Sequence, residues 1–236
     1  MSYSFLTDFP RPLLFAHRGR SALAPENTHA AFSLAWESGI PGIELDIRLC
    51  RSGELVVFHD DDLERITGKT GAIEDMDIST IKEFDAGSRH SEGFANERIP
   101  TLREVFEAAP DNVYFDIEIK PHQRNSSDIA SRLQPILLDF KMNGRCIISS
   151  FYPSAVRAAK AKCAGHPTAF IYSTSHADEH KFKHTAARLL SDAPILKPQW
   201  QKTIQILEGG GPQARKPLLP WTINDASVAK RSNACR

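Results

Sequence analysis

Several acidic side chains occupy positions that an ordinary protein core would fill with apolar ones. In Glu44-Leu45-Asp46-Ile47 and in Phe115-Asp116-Ile117-Glu118-Ile119-Lys120, polar and apolar residues alternate. Alternate residues of a β-strand share a face, so Glu44 and Asp46 point one way and their leucine and isoleucine neighbours the other. The same rule places Asp116, Glu118 and Lys120 on one face of their strand. A carboxylate turned inward is costly unless it is paired, protonated or bound to a metal. Glu44, Asp46 and Glu118 together suit a hard divalent cation such as Mg2+ or Ca2+, which takes oxygen ligands. Zinc fits less well, because it usually takes histidine or cysteine. The competing reading is a set of ordinary ion pairs with Arg48 and Lys120.

Two histidines stand out from the nine. His17 and His59 each end an apolar run, and each is followed by a charged residue, Arg18 or Asp60. Imidazole is the side chain best suited to give and take protons near neutral pH. Hydrogen bonding at a strand end is the plainer role for both. His29, His90, His122, His166, His176, His180 and His184 read as surface or loop residues.

The elements that must position these groups follow a strand-then-helix rhythm. Pro12 to His17 reads as a buried strand, and Asn27 or Thr28 can cap a helix that Gly39 stops. Gly42 to Leu49 and Glu54 to His59 are extended runs around a Ser52-Gly53 turn. Asn112 to Lys120, Arg145 to Ser149, Pro167 to Tyr172, Ala187 to Leu190 and Leu218 to Thr222 are further strand candidates. Such alternation implies parallel pairing with helices outside. More than the usual loop separates His59 from Asn112. Asp60 to Ile99 therefore reads as a small insertion near the site, followed by a helix with a Thr101/Glu104 capping box.

Bulk properties narrow the partners. The 236 residues match the length of a one-domain barrel, which is typically ~250 residues. With 29 basic and 29 acidic side chains the net charge is zero, which argues against nucleic acid as the main partner. Met1 to Pro12 lacks the pattern of a secretory signal, and no apolar run reaches the ~18 residues of a membrane span. Cys50, Cys146, Cys163 and Cys235 follow no metal or redox spacing, so reduced thiols and a cytoplasmic location are expected.

Ordered motifs then converge on one resemblance. Phe15-Ala-His-Arg-Gly19, Pro25-Glu-Asn-Thr28, Glu44-Leu-Asp46, Val56-Val-Phe-His59-Asp60 and Leu63-Glu-Arg65 resemble the glycerophosphodiester phosphodiesterase family. Asp85-Ala-Gly87, Ile99-Pro-Thr-Leu102, Glu118-Ile-Lys120, Ser149-Ser-Phe151 and Trp221-Thr-Ile-Asn224 continue the likeness. The resemblance implies an α/β fold, a (β/α)8 TIM barrel formed by residues 1–236 as a single domain with the insertion at about 60–99 after the second strand. It implies a divalent cation, Mg2+ or Ca2+, on Glu44, Asp46 and Glu118, with His17 and His59 as the acid/base pair. Arg18 and Lys120 would hold the phosphate, Glu26 and Asn27 would support the site, and Trp221 would line the glycerol pocket. With the cation, Arg18 and Lys120 in place, three carboxylates and one phosphodiester reach neutrality.

The expected partner is a small glycerophosphodiester, with no nucleic acid or stable membrane association, bound by a monomer or homodimer. The expected reaction is in-line attack at phosphorus by the glycerol 2-hydroxyl, then hydrolysis of a cyclic phosphate, with direct attack by water as the other route. A phospholipase D-like enzyme of lysophospholipids and an inactive truncated barrel are the alternatives. Two departures from the family pattern appear. Cys50-Arg-Ser-Gly53 replaces a Thr-x-Asp-Gly turn, and Ala229 to Arg236 carries no apolar last strand, which predicts an atypical or missing eighth strand and a less stable barrel.

Overall fold

The computed structural model describes residues 13–122, 125–173, 191–209 and 216–234. Its strands are β1 (Phe15–His17), β2 (Gly42–Leu49), β3 (Leu55–Val57), β4 (Tyr114–Ile119), β5 (Cys146–Ser150), β6 (Thr168–Tyr172) and β7 (Ile195–Pro198). All but β3 lie parallel, in the spatial order β1-β2-β4-β5-β6-β7. Strand β3 instead folds back antiparallel on Ile47–Leu49 of β2, through a turn in which Gly53 adopts a φ of 98°. Leu218 and Trp221 continue the sheet beyond β7 as two isolated parallel bridges, to Leu196 and Gln199. This is the wall of a TIM-barrel type α/β fold.

Helices alternate with the parallel strands: α1 (His29–Glu37), α4 (Leu102–Ala108), α5 (Ser126–Asp139), α6 (Pro153–Lys162), α7 (Trp200–Gly209) and α8 (Ala226–Ala234). Two one-turn helices, α2 (Glu64–Thr67) and α3 (Ile78–Ile81), lie between β3 and α4. Of the two candidate caps for α1, Thr28 does the work, accepting from the Ala31 N–H. At α4, Thr101 and Glu104 form the reciprocal capping box.

The strand expected at Ala187 to Leu190 lies outside the described residues. The sheet takes Ile195–Pro198 instead. Lysine and proline interrupt the apolar run there, which hid it from a search for continuous hydrophobic stretches. The extended run expected from Leu218 to Thr222 is reduced to the two bridges already noted.

Alternation along β2 and β4 sorts the side chains. Ile43, Leu45, Ile47, Phe115, Ile117 and Ile119 join the main core with Phe32, Val105, Ile129 and Leu133 from the surrounding helices. Each such side chain contributes about 1.5–3 kcal/mol by leaving water. Phe106 sits edge-on to both Phe115 (4.9 Å between ring centroids) and Phe140 (5.5 Å). The intervening residues Glu44, Asp46, Asp116 and Glu118 are also buried, on the opposite face of the sheet. A second apolar cluster, including Val56, Phe58, Leu63, Ile73, Ile81 and Ile99, underlies the segment between β3 and α4. Within that segment the Asp85 carboxylate accepts from the backbone N–H groups of Gly87, Ser88 and Asn96, which closes the loop.

Phe115→Ala should lower the unfolding free energy by about 3–5 kcal/mol, the usual cost of emptying an aromatic core site. Thr101→Ala should cost about 1 kcal/mol, the loss of one helix cap. Urea denaturation measures both, and equal losses would contradict this division between core and cap.

Candidate active site

Parallel pairing in register sets Glu44 opposite Asp116 and Asp46 opposite Glu118. Inward-facing acids of two neighbouring strands are thereby stacked in two layers. Glu44, Asp46 and Glu118 each offer a carboxylate oxygen, and the three oxygens lie within 4.8 Å of one another. All three residues are buried.

Their surroundings divide the charge unevenly. Burial pushes the Glu44 carboxyl well above its usual range, and neighbouring Asp46 adds to the rise. Burial would also raise Asp46, but Lys120, His59 and Arg18 outweigh it and hold that carboxyl far below its usual value. Asp46 Oδ2 accepts from Asn27 Nδ2 at 2.9 Å and lies 3.3 Å from Arg18 Nε. Asp46 Oδ1 is buried without a hydrogen bond among the described residues, and Lys120 Nζ stands 3.4 Å away. Ion-paired with Lys120 but not hydrogen-bonded, that oxygen keeps acceptor capacity suited to a cation. With its companions it makes an all-oxygen donor set of the kind that Mg2+ and Ca2+ take.

The carriers of positive charge are placed by backbone geometry. Arg18 follows β1 in the left-handed region, with a φ of 56°. Its N–H donates to the Glu44 carbonyl at 2.8 Å and also lies 3.1 Å from Glu44 Oε2. Its guanidinium reaches Glu26 at 2.9 Å. Asn27 adopts a φ of 57°, a conformation that asparagine tolerates better than most residues, and this aims its amide at Asp46. At the end of β4, Lys120 pairs with Glu118 Oε1 at 2.6 Å and lies 5.5 Å above the Phe151 ring centroid. Trp221 packs edge-on against Phe151 with centroids 5.3 Å apart, and its indole N–H donates to the Lys197 carbonyl.

Both imidazoles are about one-third exposed, 35% for His17 and 30% for His59. His17 Nε2 stands 3.9 Å from Glu44 Oε2. Burial of most of its environment and the adjacent Arg18 charge pull the His17 pKa down to about 4, against a weaker opposing effect of Asp46. His59 is clasped through Nδ1 by Asp60 at 2.6 Å. Asp60 in turn pairs with Arg65 of α2, whose guanidinium also bonds Glu26. A chain of ion pairs thus runs from His59 through Asp60, Arg65 and Glu26 to Arg18.

Of the residues singled out from sequence for this site, Glu44, Asp46 and Glu118 come together, and Arg18, Asn27 and Lys120 meet Asp46. Glu26 meets Arg18, His17 stands beside Glu44, His59 meets Asp60 and Trp221 packs on Phe151. Some details differ. Lys120 does pair with the acids, but Arg48 does not: it binds the His59 carbonyl, Asp61 and Glu74. Arg48 sits beyond the last barrel pair, where β2 has left the wall to meet β3. His166, grouped with surface or loop residues, is in a loop but buried, 3.3 Å from Cys146 Sγ. Cys50, Cys146 and Cys163 are free and buried, as expected of reduced thiols, while Cys235 lies outside the described residues. Sequence reasoning missed Lys197 altogether. Its ammonium, on β7, is buried 2.6 Å from Asp116 Oδ2, and a lone charge within an apolar run was the available signal.

Residues 17–235 match the model of the glycerophosphoryl diester phosphodiesterase family. The chain belongs to that family. It is 37% identical over 215 residues to a glycerophosphodiester phosphodiesterase of Caldanaerobacter subterraneus subsp. tengcongensis, covering 91% of this chain and 86% of that one. An Oleispira antarctica phosphodiesterase, solved with its product sn-glycerol-3-phosphate, superposes with a TM-score of 0.81 at 28% identity, over 98% of this chain and 92% of the other. The glycerophosphodiester phosphodiesterase of Thermotoga maritima gives 0.71 at 26% identity, over 96% and 92% of the two chains. In this family member, no helix among the described residues is long and apolar enough to cross a membrane.

The depressed His17 pKa has a sign that can be checked. A folded value near 4 against 6.5 for a free imidazole means that the unfolded chain binds the proton first. The stability associated with neutral His17 is present above pH 6.5 and is lost as the pH falls toward 4. In metal-free protein, the His17 ring signals should titrate with a midpoint near 4 by NMR. A midpoint at the free-imidazole value would contradict the combined effect of partial desolvation and the Arg18 charge.

Proposed function

We propose that this chain hydrolyses glycerophosphodiesters to glycerol 3-phosphate and an alcohol, with Mg2+ or Ca2+ held by Glu44, Asp46 and Glu118. The observation that carries this reading is the convergence of three buried carboxylates beside two accessible imidazoles. The family and the product named for the Oleispira structure support the substrate class.

Bound at the three carboxylates, the ion would polarise the phosphoryl oxygens and offset the charge that builds as the P–O bond breaks. The chain's own residues supply the rest. Arg18 and Lys120 have N–H donors beyond those given to Asp46, Glu26 and Glu118, and these are read as holding the non-bridging oxygens. His17, neutral at physiological pH, removes the proton of the glycerol 2-hydroxyl as that oxygen attacks phosphorus. His59, fixed by Asp60 at Nδ1, uses Nε2 to protonate the departing alkoxide. The O2–P bond forms and the P–O bond to the alcohol breaks, leaving a cyclic phosphate. Water then opens the ring, with the histidines exchanging roles. Using an internal nucleophile avoids an entropic cost that can reach ~7–11 kcal/mol.

Residues 1–236 are read as one domain, with Asp60 to Ile99 inserted at the mouth of the site. Arg65 ties that insertion to the phosphate-binding side through Glu26. Trp221 and Phe151 are read as the apolar wall against which the glycerol carbons would rest, since Phe151 packs on both Trp221 and Lys120.

Release of glycerol phosphate from glycerophosphocholine tests the proposal. Activity should vanish with EDTA and return with Mg2+ or Ca2+. His17→Gln and His59→Gln should each lower kcat by roughly 10²–10⁴-fold, the usual contribution of a general acid or base. Persistence under chelation would remove the metal from the account. Absence of turnover with either cation, or faster turnover of a long-chain lysophospholipid, would overturn the assigned substrate.

A further inference from the structure

Beneath the three carboxylates lies a fourth, Asp116, that the proposed reaction does not use. It is buried, faces Glu44 across the β2–β4 pair, and is close enough to Glu44 to raise its pKa. Left to itself, Asp116 would add a further negative charge to the buried acids Glu44, Asp46 and Glu118. Lys197 prevents this. Its Nζ lies 2.6 Å from Asp116 Oδ2 and donates to Ser149 Oγ at 3.1 Å. Ser149 Oγ in turn donates to Asp116 Oδ1 at 2.7 Å. Both oxygens of Asp116 are thus occupied by a closed three-residue ring contributed by β4, β5 and β7.

We infer that Lys197 is a resident cation, which takes up Asp116 and so restricts the divalent ion to a single position at Glu44, Asp46 and Glu118. The inference rests on the metal reading of that triad and extends it. Three observations favour it over simple core packing. A buried ammonium is expensive, and an apolar residue would fill the same space without that cost. Lys197 interacts electrostatically with Glu44 and Glu118 as well as with Asp116, so its charge reaches two members of the triad. Finally, each oxygen of Asp116 already has a partner in Ser149 or Lys197, whereas Asp46 keeps an oxygen without a hydrogen bond among the described residues.

Calorimetric titration of chelator-stripped protein with MgCl2, and separately with CaCl2, distinguishes the cases. Wild-type protein should bind one ion. Lys197→Met removes the resident charge, and should tighten binding by about tenfold or admit a second ion. Asp116→Asn frees the Lys197 charge to oppose the incoming ion, and should weaken binding by about tenfold. The double variant, with the pair neutralised, should return close to the wild-type affinity and stoichiometry. Opposite signs from the two partners of one ion pair cannot come from a merely structural contact, whose loss would impair both variants alike. Should Lys197→Met be too unstable to titrate, weakening in Asp116→Asn and recovery in the double variant carry the test. Single-ion binding of unchanged affinity in all variants, or shifts in one direction only, would overturn the role of Lys197. Failure of the wild-type protein to bind either ion would instead overturn the metal site itself, and this inference with it.

Discussion

Like charges brought together inside a barrel repel strongly, and the architecture around β2 and β4 is organised by the need to answer that repulsion. Period-two alternation gives these strands an outer face that anchors the main core and an inner face that carries four acids. The outer face secures the strands so firmly that the inner acids cannot swing apart. Three of the four are met by a fixed countercharge: Asp46 by Arg18 from a left-handed turn after β1, Asp46 and Glu118 by Lys120 at the end of β4, and Asp116 by Lys197 of β7. The Glu44 carboxyl is instead pushed above its usual range. Asp46 still keeps one oxygen without a hydrogen bond among the described residues. Together with Glu44 and Glu118 it forms an acidic group that could hold a divalent cation.

The same electrostatics link the mouth of the site to its floor. Arg65 belongs to a short helix between β3 and α4, yet it bonds both Asp60 and Glu26. One guanidinium thus helps to hold the carboxylate that orients His59 and the carboxylate that steadies Arg18. Burial and the Arg18 charge keep His17 neutral, whereas the Asp60 carboxylate engages His59 directly. Two imidazoles at similar exposure consequently meet different partners.

Much of this was legible in the residues before any coordinates. Alternation alone assigned Glu44, Asp46 and Glu118 to an inner face, because a two-residue period leaves little ambiguity in a strand. Helix starts at Thr28 and Thr101 were legible because capping is a local matter of one side chain and one N–H. Long-range pairing was less so. Arg48 stands two residues beyond Asp46, on the same alternating face, but β2 outlasts the barrel wall and delivers it to Glu74 instead. Lys197 was missed because its partner Asp116 lies on a strand distant in sequence, and Ile-Leu-Lys-Pro is too short and too mixed to declare itself a strand. The buried position of His166 likewise depends on Cys146, supplied by a neighbouring strand.

One ion shared by three carboxylates is the central expectation, and anomalous diffraction from crystals soaked in CaCl2 or MnCl2 tests it directly. The predicted result is a single strong peak within about 2.0–2.6 Å of oxygens from Glu44, Asp46 and Glu118, the range for hard cations and carboxylates. A saturated crystal with no peak there, or with its ion held elsewhere while Lys120 alone bridges Asp46 and Glu118, would contradict it.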